Sequence, residues 1–261
     1  MADTAAACRL LVDPPADGAW NMAVDEALLH SAAEADVAVL RLYRWSAPTL
    51  SLGYFQGLAD RQMHPASAEC AVVRRSSGGG AILHDRELTY SLALPAGHRG
   101  AADAAALYRA VHRALIAALS AAGGAAPSLC ESADDSRPQP FLCFQRRAVG
   151  DVMLEGQFST PGNLRQQFKI AGSAQRRGKG AILQHGSILL ERSVAAPELP
   201  GWRELSGEPL AAAALAERFA ARLAANLPLE LRPDGLTPAE RLSAERFVPD
   251  KYGHPGWTAR R

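Results

Sequence analysis

Arg74-Arg75-Ser76-Ser77-Gly78-Gly79-Gly80-Ala81-Ile82-Leu83-His84-Asp85 sets three successive glycines between two short runs of strand-forming residues, Cys70–Arg75 and Ala81–His84. Without Cβ atoms, glycines let backbone amides approach a ligand closely, at a cost in conformational entropy. A merely flexible loop is the plain alternative. Arg74 and Arg75 lead in, however, and His84 and Asp85 lead out, so charged groups gather at both ends of a loop held between strands. Nucleotide-binding patterns do not fit. Gly172 and Gly178 enclose five residues rather than four, Lys179 is followed by Gly180, and no G-x-G-x-x-G opens a helix.

Outward from the loop, hydrophobic periodicity predicts a sheet with helices around it. Val37–Trp45, Thr49–Tyr54 and Glu87–Leu94 alternate as strands, the last stopped by Pro95, and Asp151–Glu155, Phe168–Gln175 and Ala181–Glu191 read as a meander. Asn21 is placed to cap a short amphipathic helix over Met22–Ala32, with Asp25 and Glu26 near its positive end. Leu107, Val111, Leu115 and Leu119 mark a helix within Ala102–Ala122, ended by Gly123 and Gly124. Leu215, Phe219, Leu223 and Leu227 mark another, and Thr237-Pro238-Ala239-Glu240 is a capping box that opens a last one. Pro127–Pro140, with Glu131, Asp134 and Asp135, reads as a solvated loop. No histidine accompanies these acids at ligand spacing, so no metal site is assigned.

Composition narrows the partners. In 261 residues, 28 Lys and Arg meet 27 Asp and Glu, so no overall positive field favours nucleic acid. No apolar run approaches the roughly 18 residues of a membrane span. Cys8, Cys70, Cys130 and Cys143 form no C-x-x-C pair, and Met1–Pro15 does not read as a secretion signal, which points to free thiols in a reducing cytoplasm.

Three further segments accompany the loop: Asn21-Met22-Ala23-Val24-Asp25-Glu26, Lys169-Ile170-Ala171-Gly172-Ser173-Ala174-Gln175-Arg176 and Gln184-His185-Gly186-Ser187-Ile188-Leu189. With them, from about Trp20 to Leu190, the chain resembles the lipoate–protein ligase and octanoyltransferase family, and most nearly its LipM-type octanoyltransferases. The resemblance implies an α+β, biotin/lipoate protein ligase-like catalytic domain with mixed, mostly antiparallel sheets flanked by helices and an acyl tunnel beside the glycine loop. It implies one catalytic domain over residues 1–261, with C-terminal helices at about 208–250 packed on it. The G-R-G-R-x-G-R type loop of biotin ligases is absent. Substrate binding is carried over to Arg74, Arg75, Ser77, Gly78, Gly79, Gly80, His84, Asp85, Gly172, Ser173, Ala174, Gln175, His185 and Gly186.

Cys143, in Phe141-Leu142-Cys143-Phe144, falls where acyl-enzyme octanoyltransferases similar to this chain keep their nucleophile. A lone cysteine between phenylalanines is ordinarily a small buried hydrophobe; the resemblance reverses that reading. Its thiolate would take an octanoyl group from acyl carrier protein and pass it to a lysine of a lipoyl domain, either glycine cleavage H protein or a 2-oxoacid dehydrogenase E2. A free thiol near pKa ~8.5 needs positive charge nearby, and Lys169, Arg146 and Arg147 are the candidates. Lys169 would also face the developing oxyanion, and desolvation would lower its pKa enough to help deprotonate the incoming amine. Arg146, Arg147, Arg176 and Arg177 are available to dock an acidic carrier.

Two departures from the family pattern stand out: the stretch Phe144–Gly150 after the cysteine, and a long connection containing Ser159–Gln167. Octanoyltransferases of the LipB type place their cysteine after the His-Gly motif, where this chain has none. An ATP-dependent lipoate ligase, with ATP and Mg as cofactors, would form an acyl-adenylate in the same pocket; the short stretch after Leu190 weighs against it. An amidotransferase between lipoyl domains, or a non-catalytic protein that binds lipoylated partners, would keep the same residues. The octanoyltransferase itself needs no cofactor, because a thioester is already activated.

Overall fold

The computed structural model describes residues 5–124, 126–134, 138–158, 165–178 and 180–260. Its strands are β1 (Ala6–Val12), β2 (Ala38–Tyr43), β3 (Thr49–Leu52), β4 (Ala71–Arg74), β5 (Ile82–His84), β6 (Glu87–Pro95), β7 (Ser128–Leu129), β8 (Val152–Gly156), β9 (Gln166–Gly178), β10 (Ala181–Leu189) and β11 (Leu229–Pro233). Eight of them form one sheet in the order β11-β1-β2-β6-β10-β9-β8-β7, and β4-β3-β5 form a second. Pairing is antiparallel except where β1 meets β11 and β2, and where β3 meets β4. The expected mixed, mostly antiparallel α+β architecture is the one observed, and β8-β9-β10 is the expected meander.

Both faces of the large sheet are covered, so its central strands β2, β6 and β10 are buried throughout, with polar residues such as Arg41, Ser91 and His185 among the apolar ones. On one face lie α2 (Ala104–Ser120) and α4 (Ala212–Asn226), whose Leu107, Val111, Leu115, Phe219 and Leu223 pack on Leu40, Leu92, Ile182 and Ile188. Truncating a ring as buried as Phe219 would cost about 3–5 kcal/mol. The other face takes α1 (Gly18–Ala35), which is longer than expected at both ends. Asp17, not Asn21, caps it by accepting from the Trp20 amide. Nor is α1 amphipathic: α5 (Pro238–Phe247) and the turn Val248–Tyr252 cover its outer side, so Asn21 through Leu29 are all buried. The short helices α3 (Trp202–Ser206) and α6 (Pro255–Thr258) complete the set.

Strands β1 and β11 were not foreseen. Arg9 of β1 secures their union by pairing with Asp234 at 2.6 Å and with Glu240 of α5. Arg41, on a strand predicted only by alternation, is fully buried and paired with Asp13 at 2.7 Å and Asp25 at 3.0 Å.

Between the two sheets a third apolar cluster forms, of Leu50, Leu52, Leu83, Phe141, Leu142, Phe144 and Leu199. It carries a single helical turn, Cys143–Gln145, into the site. The turn is tied to the strand after the glycines, because the Ala81 amide donates to Phe141 O (3.1 Å) and the Cys143 amide to Ala81 O (2.7 Å).

Candidate active site

The glycine loop bridges β4 and β5, and its two arginines part company because successive strand side chains point to opposite faces. Arg75 turns inward and is buried: it donates to Ser51 O (2.7 Å), Gly78 O (3.2 Å) and Gly80 O (2.8 Å), shaping the loop around its own fork. Its Nε, also buried, meets no acceptor among the described residues. Burial pushes the guanidinium down to about 10, against the opposing pull of Cys143, so it stays charged near neutrality. Arg74 points to the opposite face, where it is just as buried, and donates to Thr258 O (2.7 Å) and Gln56 O (2.6 Å). It is not among the residues that wall the crevice between the two sheets.

A narrow crevice runs between the sheets, walled by Met22, Tyr43, Trp45 and Ile82 and by five of the foreseen residues: Arg75, His84, Ala174, His185 and Gly186. Its water-accessible volume is about 20 Å3, room for roughly one or two waters, so the expected tunnel is a tight slot. His185 donates or accepts at Ser77 Oγ (2.5 Å) through Nε2 and meets Asp25 (3.1 Å) through Nδ1, which fixes the loop to β10. Burial pushes Asp25 up, but His185, Arg41 and Ser91 outweigh it and leave the carboxyl below its usual range. His84 is clasped by Ser51 and Glu87 at 2.6 Å each and stacks on Trp45 at 3.8 Å.

Other foreseen residues stand elsewhere. Asp85 accepts from Ser193 Oγ (2.7 Å) outside the crevice, and Gln175 reaches Ala104 O and Gln184 on the α2 face of the sheet. Ser173 faces α2 as well, bonded to Tyr90 and His112 at 2.6 Å each. Strand alternation explains both: β9 residues two apart share a face, and Ala174 takes the other one.

Cys143 and Lys169, far apart in sequence, meet. Lys169 Nζ lies 3.6 Å from Cys143 Sγ and 3.4 Å from Cys143 O. Two glycines make room for this. A Cβ on Gly80 would stand 3.1 Å from Cys143 Cα and 2.9 Å from Arg146 Cζ; one on Gly172 would overlap Lys169 Cε at 2.3 Å. Lys169 reaches the face of Gly172 because β9 bulges: Val152 pairs with Ala171 but Met153 with Lys169, leaving Ile170 as an extra residue.

The sequence reading passed over the group that grips the lysine. Asp151, fully buried, lies 2.8 Å from Lys169 Nζ and also accepts from Tyr108 OH (2.6 Å) and the Ala148 amide (2.7 Å). Burial pushes Lys169 down, but Cys143 and Asp151 outweigh it and leave the ammonium above its ordinary value. That corrects the expectation that desolvation would free Lys169 to act as a base. Of the arginines, Arg146 packs beside Cys143, and Arg176 donates to Ser76 O (2.8 Å). Arg147 and Arg177 bond instead to Gln167 O and Ala101 O, so the four make no single cluster. Most of the Ser159–Gln167 connection lies outside the described residues. Among the described residues, no three His, Cys, Asp or Glu side chains converge as metal ligands, and no helix is long and apolar enough to cross a membrane.

Sheet order, glycine loop and crevice define a lipoate-ligase-like catalytic domain. The chain aligns over 97% of its length, with TM-score 0.71 and 22% identity, on 98% of a solved lipoate-protein ligase A bound with ATP. It matches 97% of a bi-partite lipoate protein ligase from Thermoplasma acidophilum, solved in work that includes its E2 lipoyl domain, with TM-score 0.72 and 20% identity over 98% of this chain. At such identities the likeness speaks to fold alone. The model of the lipoyl protein ligase A/B catalytic domain matches residues 17–198, and the chain belongs to that family. Similar curated relatives are the octanoyltransferases LipM of Brevibacillus brevis, 31% identical over 97% of this chain and 99% of the relative, and of Kyrpidia tusciae, 33% identical over 97% and 98%.

Proposed function

We propose that the chain is an octanoyltransferase of protein lipoylation, an acyltransferase that works through a Cys143 thioester. The observation that carries this reading is the ammonium of Lys169 at 3.6 Å from the Cys143 sulfur, with Cys143 packed against Gly80 of the glycine loop. The octanoyltransferase LipM relatives supply the acyl group. Acyl carrier protein is the donor, and a lysine of a lipoyl domain, on H protein or E2, is the acceptor.

In the first half-reaction the Cys143 thiolate attacks the thioester carbon. The new C–S bond forms as the carrier's breaks, and the carrier thiolate takes up the proton that Cys143 lost on ionising. In the second, the neutral amine of the acceptor attacks. A C–N bond forms, the Cys143 C–S bond breaks, and the amine's extra proton ends on the released sulfur. Lys169 remains charged through both steps and holds the carbonyl oxygen as it becomes anionic. The walls Met22, Tyr43, Trp45 and Ile82 favour a fatty chain in the slot.

Intact mass spectrometry after mixing with octanoyl carrier protein tests this reading. One octanoyl mass, removed by neutral hydroxylamine, appears without ATP and is lost in Cys143→Ala. An ATP-dependent ligase would instead exchange pyrophosphate with ATP and keep its activity in that variant.

A further inference from the structure

Three bonds converge on the Asp151 carboxylate, from Lys169, Tyr108 and the Ala148 amide, and none of them comes from a neighbour in the same strand. Tyr108 belongs to α2 and also accepts from the Ser173 amide of β9 at 3.3 Å. Apart from the lysine, the carboxylate is thus fixed from a helix and a turn, and the helix residue is itself tied to the sheet. A buried carboxylate bound by a lysine alone would be an ordinary ion pair; this one is built independently of the lysine.

Lys169, by contrast, is long, flexible and carries three donors. Its only contact below 3 Å among those described is Asp151. The groups facing it are Asp151, Cys143 and the Phe144 ring at 5.7 Å, with Tyr108 and His112 behind them on α2, and Arg147 and Glu198 line the same hollow as the lysine. Burial pushes His112 down to about 4, so it brings no competing charge at neutral pH.

We infer that Asp151, anchored by Tyr108, is a positioning residue for the acyl transfer: it aims the Lys169 ammonium at the Cys143 sulfur and at the oxygen of the bound thioester. The inference rests on the octanoyltransferase reading. Without Asp151 the lysine swings freely, and its pKa drops because the carboxylate no longer favours its charged form.

Octanoylation of Cys143 is followed from pH 6 to 10 in the wild type, Asp151→Asn and Tyr108→Phe. In Asp151→Asn, kcat falls about 100-fold, KM for the donor stays within about twofold, and the basic limb of kcat/KM moves to lower pH. Tyr108→Phe loses kcat by about tenfold with KM unchanged. A folded Asp151→Asn protein with the wild-type limb and rate overturns the inference; if that variant does not fold, full activity of Tyr108→Phe overturns it. Titration of Lys169 Nζ by 15N NMR needs no donor. A lower lysine pKa in Asp151→Asn supports the inference and an unchanged one overturns it, whereas a wild type that takes no octanoyl group defeats the octanoyltransferase reading alone.

Discussion

Arg41 and Lys169 are both buried cations held by an aspartate, yet their surroundings differ in kind. Arg41 spends its fork on Asp13 (2.7 Å), Asp25 (3.0 Å), Asn21 O (3.2 Å) and Asn21 Oδ1 (2.9 Å). Lys169 has one close partner and then two longer contacts, both to Cys143. A tightly held cation locks β2 to α1. The contacts of Lys169 with Cys143, at 3.4 and 3.6 Å, are long and weak, and those donors can turn to charge that develops during a reaction. What separates architecture from chemistry here is how tightly the donors are engaged, since both groups are buried and both are paired.

Breaking the more tightly held member has the largest effect. Arg41→Leu leaves Asp25 buried beside His185 without its cation and lowers stability by about 3–5 kcal/mol, measured by urea unfolding. Lys169→Ala slows acylation and transfer about 10²–10³-fold, or 2.7–4 kcal/mol. It costs less stability than Arg41→Leu, because Asp151 keeps its bonds to Tyr108 and Ala148. Comparable unfolding midpoints for the two variants would erase the distinction. The third test concerns His112, whose pKa burial pushes down to about 4 from its ordinary 6.5. The unfolded chain therefore binds the extra proton first. Stability from this histidine is full above pH 6.5 and declines toward pH 4 by no more than about 3 kcal/mol. His112→Gln flattens that slope, and an unaltered slope would assign it to other groups.

The glycine loop, Cys143 and Lys169 were legible because each sits in a run of residues whose order is itself the signal. Asp151 was not. It follows a glycine at the start of a short strand, like many structural acids, and its anchor Tyr108 lies 43 residues upstream. The turn of Arg74 to the face opposite Arg75 and the α2-facing Ser173 and Gln175 were hidden for another reason: a motif names residues together, whereas strand geometry alternates their faces. The bulge at Ile170 breaks that alternation and depends on the partner strand β8, so no local pattern in β9 announces it. Asp17 was within reach, since an acid three residues before Trp20 is an ordinary helix start.

Strand β1 at the beginning of the chain pairs with β11 near the end, Ala6 with Leu229 through Leu10 with Pro233. Strand β1 takes β2 on one margin, but its other margin is covered only by a segment more than 220 residues further along the chain. Detaching β11 would bare a strand edge able to recruit other chains, so resistance to self-association hangs on one long-range pairing.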